Sequence, residues 1–119
     1  MSVSLYERLG GTEGIQKIAN DIIDNHLGNS KISKRFAAID EGKLKKGAAD
    51  FIISGTGGPN IYKGKDMIGT HKGMNIGDEE FMAVVDDIMG ALDGNKIEQR
   101  EKEEFLFILY SLRNEVVKQ

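Results

Sequence analysis

The chain has no cysteine, so disulfides, zinc–thiolate centres and thiol nucleophiles are excluded. It has only one proline, Pro59, directly after Gly57-Gly58, where any helix reaching that point must stop. No apolar run approaches the roughly 18 residues of a membrane span. Neither sign of charge dominates. Sixteen Lys and Arg against 19 Asp and Glu leave a net charge of −3, which argues against a general nucleic-acid binder. The basic stretch Lys43-Leu44-Lys45-Lys46 is too short to alter that. Met1-Ser2-Val3-Ser4 lacks the charged and apolar regions of a signal peptide, so a soluble cytoplasmic protein is expected. Histidine is scarce too. His26 and His71 are the only two, and no HxxxH or ExxH pair supports a zinc site of about four protein ligands.

What the chain does have is helical periodicity cut by glycine. Its 119 residues suit one domain, 1–119, large enough to bury a core. Most of the 15 glycines fall between apolar-periodic segments, where helix stops and turns belong. Ser4-Leu5-Tyr6-Glu7 has capping-box spacing and starts a short helix that stops at Gly10-Gly11. Ile15, Ile18 and Ile22 mark one stripe of a second helix over 12–28, with Ala19, Ile23 and His26 beside it. Asp40 opens a third helix to residue 55, with Leu44, Ala48, Phe51 and Ile52 on one face. Residues 60–65 read as loop, and 65–72 as a short helix carrying His71. Ile76 and Phe81 have the spacing of a hydrophobic staple around a helix start at Gly77-Asp78. That helix spans 78–93, with Phe81, Val84, Val85, Ile88 and Leu92 as its stripe, and a last helix spans 97–117. Strand alternation is absent. The fold class is all-α.

His71 is the main chemical candidate. Imidazole is the usual neutral nitrogen ligand for iron, copper or zinc. A site with one protein ligand makes sense when a porphyrin supplies the others, because haem iron needs one axial ligand and an apolar slot. The alternative is an ordinary surface histidine. His26 reads as a partly buried histidine with a satisfied ring N–H, or one favoured by the helix C-terminus; its alternative is a place near a ligand across the cofactor from His71. Gly55-Thr56-Gly57-Gly58 lacks the Lys-Ser/Thr of a phosphate loop. The acidic groups Asp78-Glu79-Glu80, Asp86-Asp87 and Glu101 to Glu104 read as solvated helix faces.

Taken as an ordered set, the residues say more. The chain opens Leu5-Tyr6-Glu7-Arg8-Leu9-Gly10-Gly11. Phe36 follows the second helix, and Phe51 precedes Gly57-Gly58-Pro59. Tyr62, Gly64, Met67, His71, Gly73, Ile76 and Phe81 come next. This order resembles the truncated (two-over-two) haemoglobins, most closely group I, over nearly the whole chain.

The resemblance implies a reduced globin in which helix pairs 12–28 with 40–55, and 78–93 with 97–117, sandwich haem b. His71 would be the proximal iron ligand. Phe36 would pack on the porphyrin. Met67, Ile76, Phe81 and Val85 would line the proximal side, Leu44, Ala48 and Phe51 the facing stripe, and Lys43 and Lys72 would meet the propionates. Burying a large flat ring there, at about 25 cal/mol per Å², would contribute several kcal/mol beyond the iron–His bond.

The distal side departs from the family. Group I members commonly carry tyrosine where this chain has Ile23, and polar residues at the positions of Leu44 and Ala48. Some place an iron-binding His or Lys at the position of Gly47. The expected distal pocket, Ile23, Leu44, Gly47 and Ala48, is therefore apolar. Losing a charge-assisted donor worth about 1.5–3 kcal/mol predicts oxygen release roughly ten- to a hundred-fold faster than in a tyrosine-bearing relative. His26, Lys43, Lys45 and Lys46 are the residues that could still swing toward the iron.

The function expected is reversible binding of oxygen, carbon monoxide or nitric oxide. The alternatives are a nitric oxide dioxygenase-like enzyme served by an external reductase, and a gas sensor acting through a protein partner. A monomer is expected, with no nucleic-acid or membrane partner.

Overall fold

The computed structural model describes residues 3–119; Met1 and Ser2, the start of the stretch expected to hold no signal peptide, lie outside the described residues. Among the described residues there are seven α-helices: α1 (Leu5–Arg8), α2 (Gly11–Leu27), α3 (Glu41–Gly55), α4 (Met67–His71), α5 (Asp78–Gly94), α6 (Gln99–Ser111) and α7 (Arg113–Val116), with a 3-10 turn at Ser33–Phe36 between α2 and α3. Caps decide the starts. Ser4 Oγ accepts from the Glu7 N–H at 3.2 Å, and Asp40 Oδ2 accepts from the Lys43 N–H at 3.0 Å. The expected staple falls in register, since Gly77 is the N-cap of α5 and Ile76 and Phe81 flank its first turn.

α2 is the hub. Its buried face packs on α3 and on α5, α5 packs on α6, and α1 bridges α2 and α6, which is the two-over-two arrangement. The core draws Leu5 and Leu9 from the α1 region, Ile15, Ile18 and Ile22 from α2, Ile53 from α3, Leu92 from α5 and Phe105 from α6. α1 also meets the turn after α3. The Tyr6 N–H bonds the Thr56 carbonyl at 2.8 Å, and a Cβ on Gly58 would lie 2.4 Å from Tyr6 Cδ1. Only glycine fits there, which ties the opening Leu-Tyr-Glu motif to the Gly57-Gly58 motif.

The last helix differs from expectation. The 97–117 segment breaks at Leu112 into α6 and α7, although no glycine or proline lies there. Tertiary contacts explain the break. α7 packs against α4, and the backbone beyond it pairs with the loop after His71: Lys118 N–H to Ile76 O at 2.8 Å, and Asn75 N–H to Gln119 O at 2.8 Å. Val117 lies opposite Ile76 in a single parallel bridge. Asn75 and Lys118 adopt left-handed φ values of 50° and 63° to make this pairing.

Candidate functional site

α4 has five residues, far too few to be stable alone. Its position is fixed from outside. Ser54, at the end of α3, accepts at Oγ from the Ile61 and Tyr62 N–H groups, both at 3.0 Å. Phe51 meets Tyr62 edge to face at 5.1 Å. Tyr62 O–H donates to the Lys65 carbonyl at 2.7 Å, and Thr70 O–H donates to the same carbonyl at 3.2 Å. Asp66 caps the helix, its Oδ1 accepting from the Gly69 N–H at 2.7 Å. Gly73, at φ 85°, then turns the chain away, in a conformation that favours glycine.

These contacts present one imidazole. His71 Nδ1 lies 2.8 Å from the Met67 carbonyl oxygen. A carbonyl only accepts, so Nδ1 carries a proton, and in the neutral imidazole Nε2 then bears the lone pair. That is the tautomer a metal requires, held by a bond to the other ring nitrogen. His71 is half-buried, so Nε2 is not walled into the core. Among the described residues, no three of His, Asp or Glu converge on a metal-sized site. A metal at His71 would need ligands that the protein does not supply, and a porphyrin brings four nitrogens.

The remaining sequence-derived residues fall into three sets. Leu44, Gly47, Ala48 and Phe51 on α3, Met67 on α4, and Phe36 on the 3-10 turn are half-buried, with apolar surface still to be covered. Ile23 on α2 is buried. Ile76, Phe81 and Val85 are also buried, and Phe81 and Val85 cluster with Val117, Leu106, Leu109 and Val116. They form a backing layer that the C-terminal segment completes. Lys43 and Lys72 are exposed. A flat apolar group with charged edges fits this distribution: a tied-back imidazole, uncovered apolar side chains on α3 and α4, and lysines outside.

Two of the three lysines considered for the iron, Lys45 and Lys46, point elsewhere. Lys45 Nζ pairs with Asp24 at 3.0 Å and Glu41 at 3.2 Å; the hydrogen bond to Asp24, then that to Glu41, hold its pKa above the ordinary value. Lys46 Nζ pairs with Asp50 at 2.6 Å. His26 bears out the satisfied-ring reading: it is 6% exposed, and its Nδ1–H donates to Asp87 Oδ2 at 2.8 Å.

Three acidic residues read as solvated are not. Asp87 is 14% exposed at the side chain and accepts from His26 and Asn29. Glu80 binds Arg35, with Nη2 to Oε1 at 2.9 Å, and the Arg35 hydrogen bond holds its carboxyl below the ordinary value. Glu101 is 12% exposed and lies 3.4 Å from Arg8, which also binds Glu104. Each pairing partner is tens of residues away, so the helix-face pattern alone carried no signal for it.

A small helical sandwich that leaves apolar surface uncovered beside one oriented imidazole is the arrangement of a globin. The sequence model of the Bacterial-like globin family matches residues 4–118. A group 1 truncated haemoglobin of Tetrahymena pyriformis is 32% identical over 89 residues, spanning 75% of this chain and 74% of that one. A group 1 truncated haemoglobin of Mycolicibacterium paratuberculosis is 26% identical over 113 residues, spanning 95% of this chain and 83% of that one. The crystal structure of the Tetrahymena pyriformis truncated haemoglobin in its Fe(III) form superposes with a TM-score of 0.94 at 26% identity, covering 98% of this chain and 100% of that one. The chain belongs to the bacterial-like globins and, within them, to the group 1 truncated haemoglobins.

Proposed function

We propose that this chain binds haem b through His71 and reversibly binds a diatomic gas in a distal pocket without hydrogen-bond donors. The observation that carries the reading is the 2.8 Å bond from His71 Nδ1–H to the Met67 carbonyl, which leaves Nε2 as the ligand nitrogen. The haem, when bound, would supply an iron that His71 would hold and that would take up a small gas. The protein supplies the rest. α4 and its anchors fix the imidazole plane. Phe36, Leu44, Phe51 and Met67 exclude water from the ring, while Lys43 and Lys72 stand at the solvent edge for the propionates.

On the gas side, Ile23, Leu44, Gly47 and Ala48 offer no donor. Lys45 and Lys46 are held in ion pairs, and the His26 ring N–H is taken by Asp87. Such a pocket favours fast release of oxygen over tight capture. Absorption spectra of the purified protein test the reading. A Soret band is expected in the wild type and absent in His71→Ala, and oxygen release is expected to be fast beside slower carbon monoxide release. A His71→Ala protein with an unchanged spectrum would refute the assignment of the ligand.

A further inference from the structure

His26 has no part in the function proposed above, yet it is buried and held by groups on two other elements. It occupies the last turn of α2, a helix whose buried face is otherwise aliphatic. Its Nδ1–H bonds Asp87 Oδ2 on α5 at 2.8 Å. Asn29 Nδ2 donates to both Asp87 carboxylate oxygens, at 3.2 and 3.1 Å, and Asn25 Nδ2 donates to the Asp87 backbone carbonyl at 3.0 Å. The carboxylate is thus fixed by Asn29 and the Asp87 backbone by Asn25, and the carboxylate in turn fixes the imidazole plane.

The face of that imidazole carries Phe36. The ring centroids are 5.5 Å apart and the planes differ by 10°. The turn bearing Phe36 is also tied to α5 one residue earlier, by Arg35 and Glu80. Burying a hydrogen-bonded His–Asp pair seldom adds net stability over an aliphatic residue of similar volume. What the pair adds is direction. A parallel stack fixes the rotation of Phe36, whereas leucine at position 26 would leave that rotation free.

We propose that His26, oriented by Asp87, is a positioning residue for Phe36 and through it sets how the porphyrin seats in the pocket. The proposal rests on the haem reading above. Porphyrin with unlike edges can enter a pocket in two orientations related by a flip. Where the distal residues Ile23, Leu44, Gly47 and Ala48 offer no polar contact, shape chooses between them. A fixed Phe36 ring makes that shape definite.

The test uses the haem-bound ferric cyanide form and proton NMR of the haem methyl groups, with haem release to an excess of apomyoglobin as a second readout. The wild type is expected to show one dominant methyl set. His26→Leu, which removes both stack and anchor, is expected to raise the minor set at least threefold and to speed haem release roughly tenfold. Asp87→Asn keeps one acceptor for the Nδ1–H but turns an NH2 toward the Asn29 donor, so it is expected to fall between wild type and His26→Leu on both readouts. Should His26→Leu not fold, His26→Phe carries the test: it keeps the ring, loses the anchor, and is expected to show the second methyl set. A folded His26→Leu, or His26→Phe in its place, with the wild-type methyl ratio and release rate overturns the proposal, even if the melting temperature falls. A wild type that takes up no haem overturns the haem reading itself, a result that the unchanged ratio could not be mistaken for.

Discussion

His71 Nδ1 and the Met67 carbonyl oxygen, 2.8 Å apart along α4, tie the orientation of the imidazole to the backbone of a five-residue helix. Whatever loosens that helix loosens the imidazole proposed as the iron ligand. The partner is a carbonyl and cannot be removed by substitution, so the bond must be probed through the groups that hold α4.

Asp66 is the most direct of these. Its carboxylate caps the Gly69 N–H at 2.7 Å. Asp66→Ala is expected to cost about 1 kcal/mol of local stability. Haem transfer to apomyoglobin should become several-fold faster, while circular dichroism of the long helices stays unchanged.

The gas side can be rebuilt in either direction. Ile23→Tyr is expected to slow oxygen release by roughly ten- to a hundred-fold, the value of one charge-assisted donor. Carbon monoxide release should change less, and flash photolysis reads both. At Gly47, an added Cβ meets nothing within 4 Å. Gly47→His should therefore fold, gaining about 0.3 kcal/mol of helix propensity, and its ferrous gas-free spectrum should become six-coordinate.

Acid tests the link between the Phe36 turn and α5. The Arg35 hydrogen bond holds the Glu80 carboxyl below its ordinary value of 4.5. A carboxyl depressed in the folded state contributes stability that is present above the unfolded value and lost as pH falls through the folded one. Both partners are about a quarter to a third exposed, so the pair contributes no more than about 1 kcal/mol. Glu80→Gln should be less stable than wild type by about that amount at pH 7, and the gap should close below pH 4.5, as read by urea unfolding at each pH.

The C-terminal pairing gives a further prediction. Val117 packs with Phe81 and Val85, and its neighbours bond the backbone of Asn75 and Ile76. Val117→Ala is expected to cost about 1–2 kcal/mol. Hydrogen exchange should quicken at the amides of Asn75 and Lys118 more than at those of α2.

The fold was legible wherever the signal was local. Ser4, Asp40 and Ile76 with Phe81 marked helix starts because caps and staples are read within a few residues, and the stripe of Ile15, Ile18 and Ile22 carried the 3.6 period without interruption. The break at Leu112 was not legible. Nothing near it breaks helices; contacts with α4 and the Met74–Ile76 loop, some forty residues away in sequence, override propensity there. The candidate site divides the same way. His71, Met67 and Phe36 stood out as a motif, and the tautomer of His71 follows from an i, i−4 contact. The roles of Asp87 and Glu80 stayed hidden, because a carboxylate on an amphipathic helix looks the same whether it faces water or the arginine or histidine of another helix.

The bridge between Ile76 and Val117 has a consequence for how the molecule is made. α2 and α3 are near neighbours in sequence and can meet early on a growing chain. The loop after His71 gains its backbone partners only once residues 117–119 have left the ribosome, because Asn75 and Ile76 pair there. Porphyrin captured before then would meet a socket whose α2–α3 wall is formed while the loop behind His71 is still unpaired.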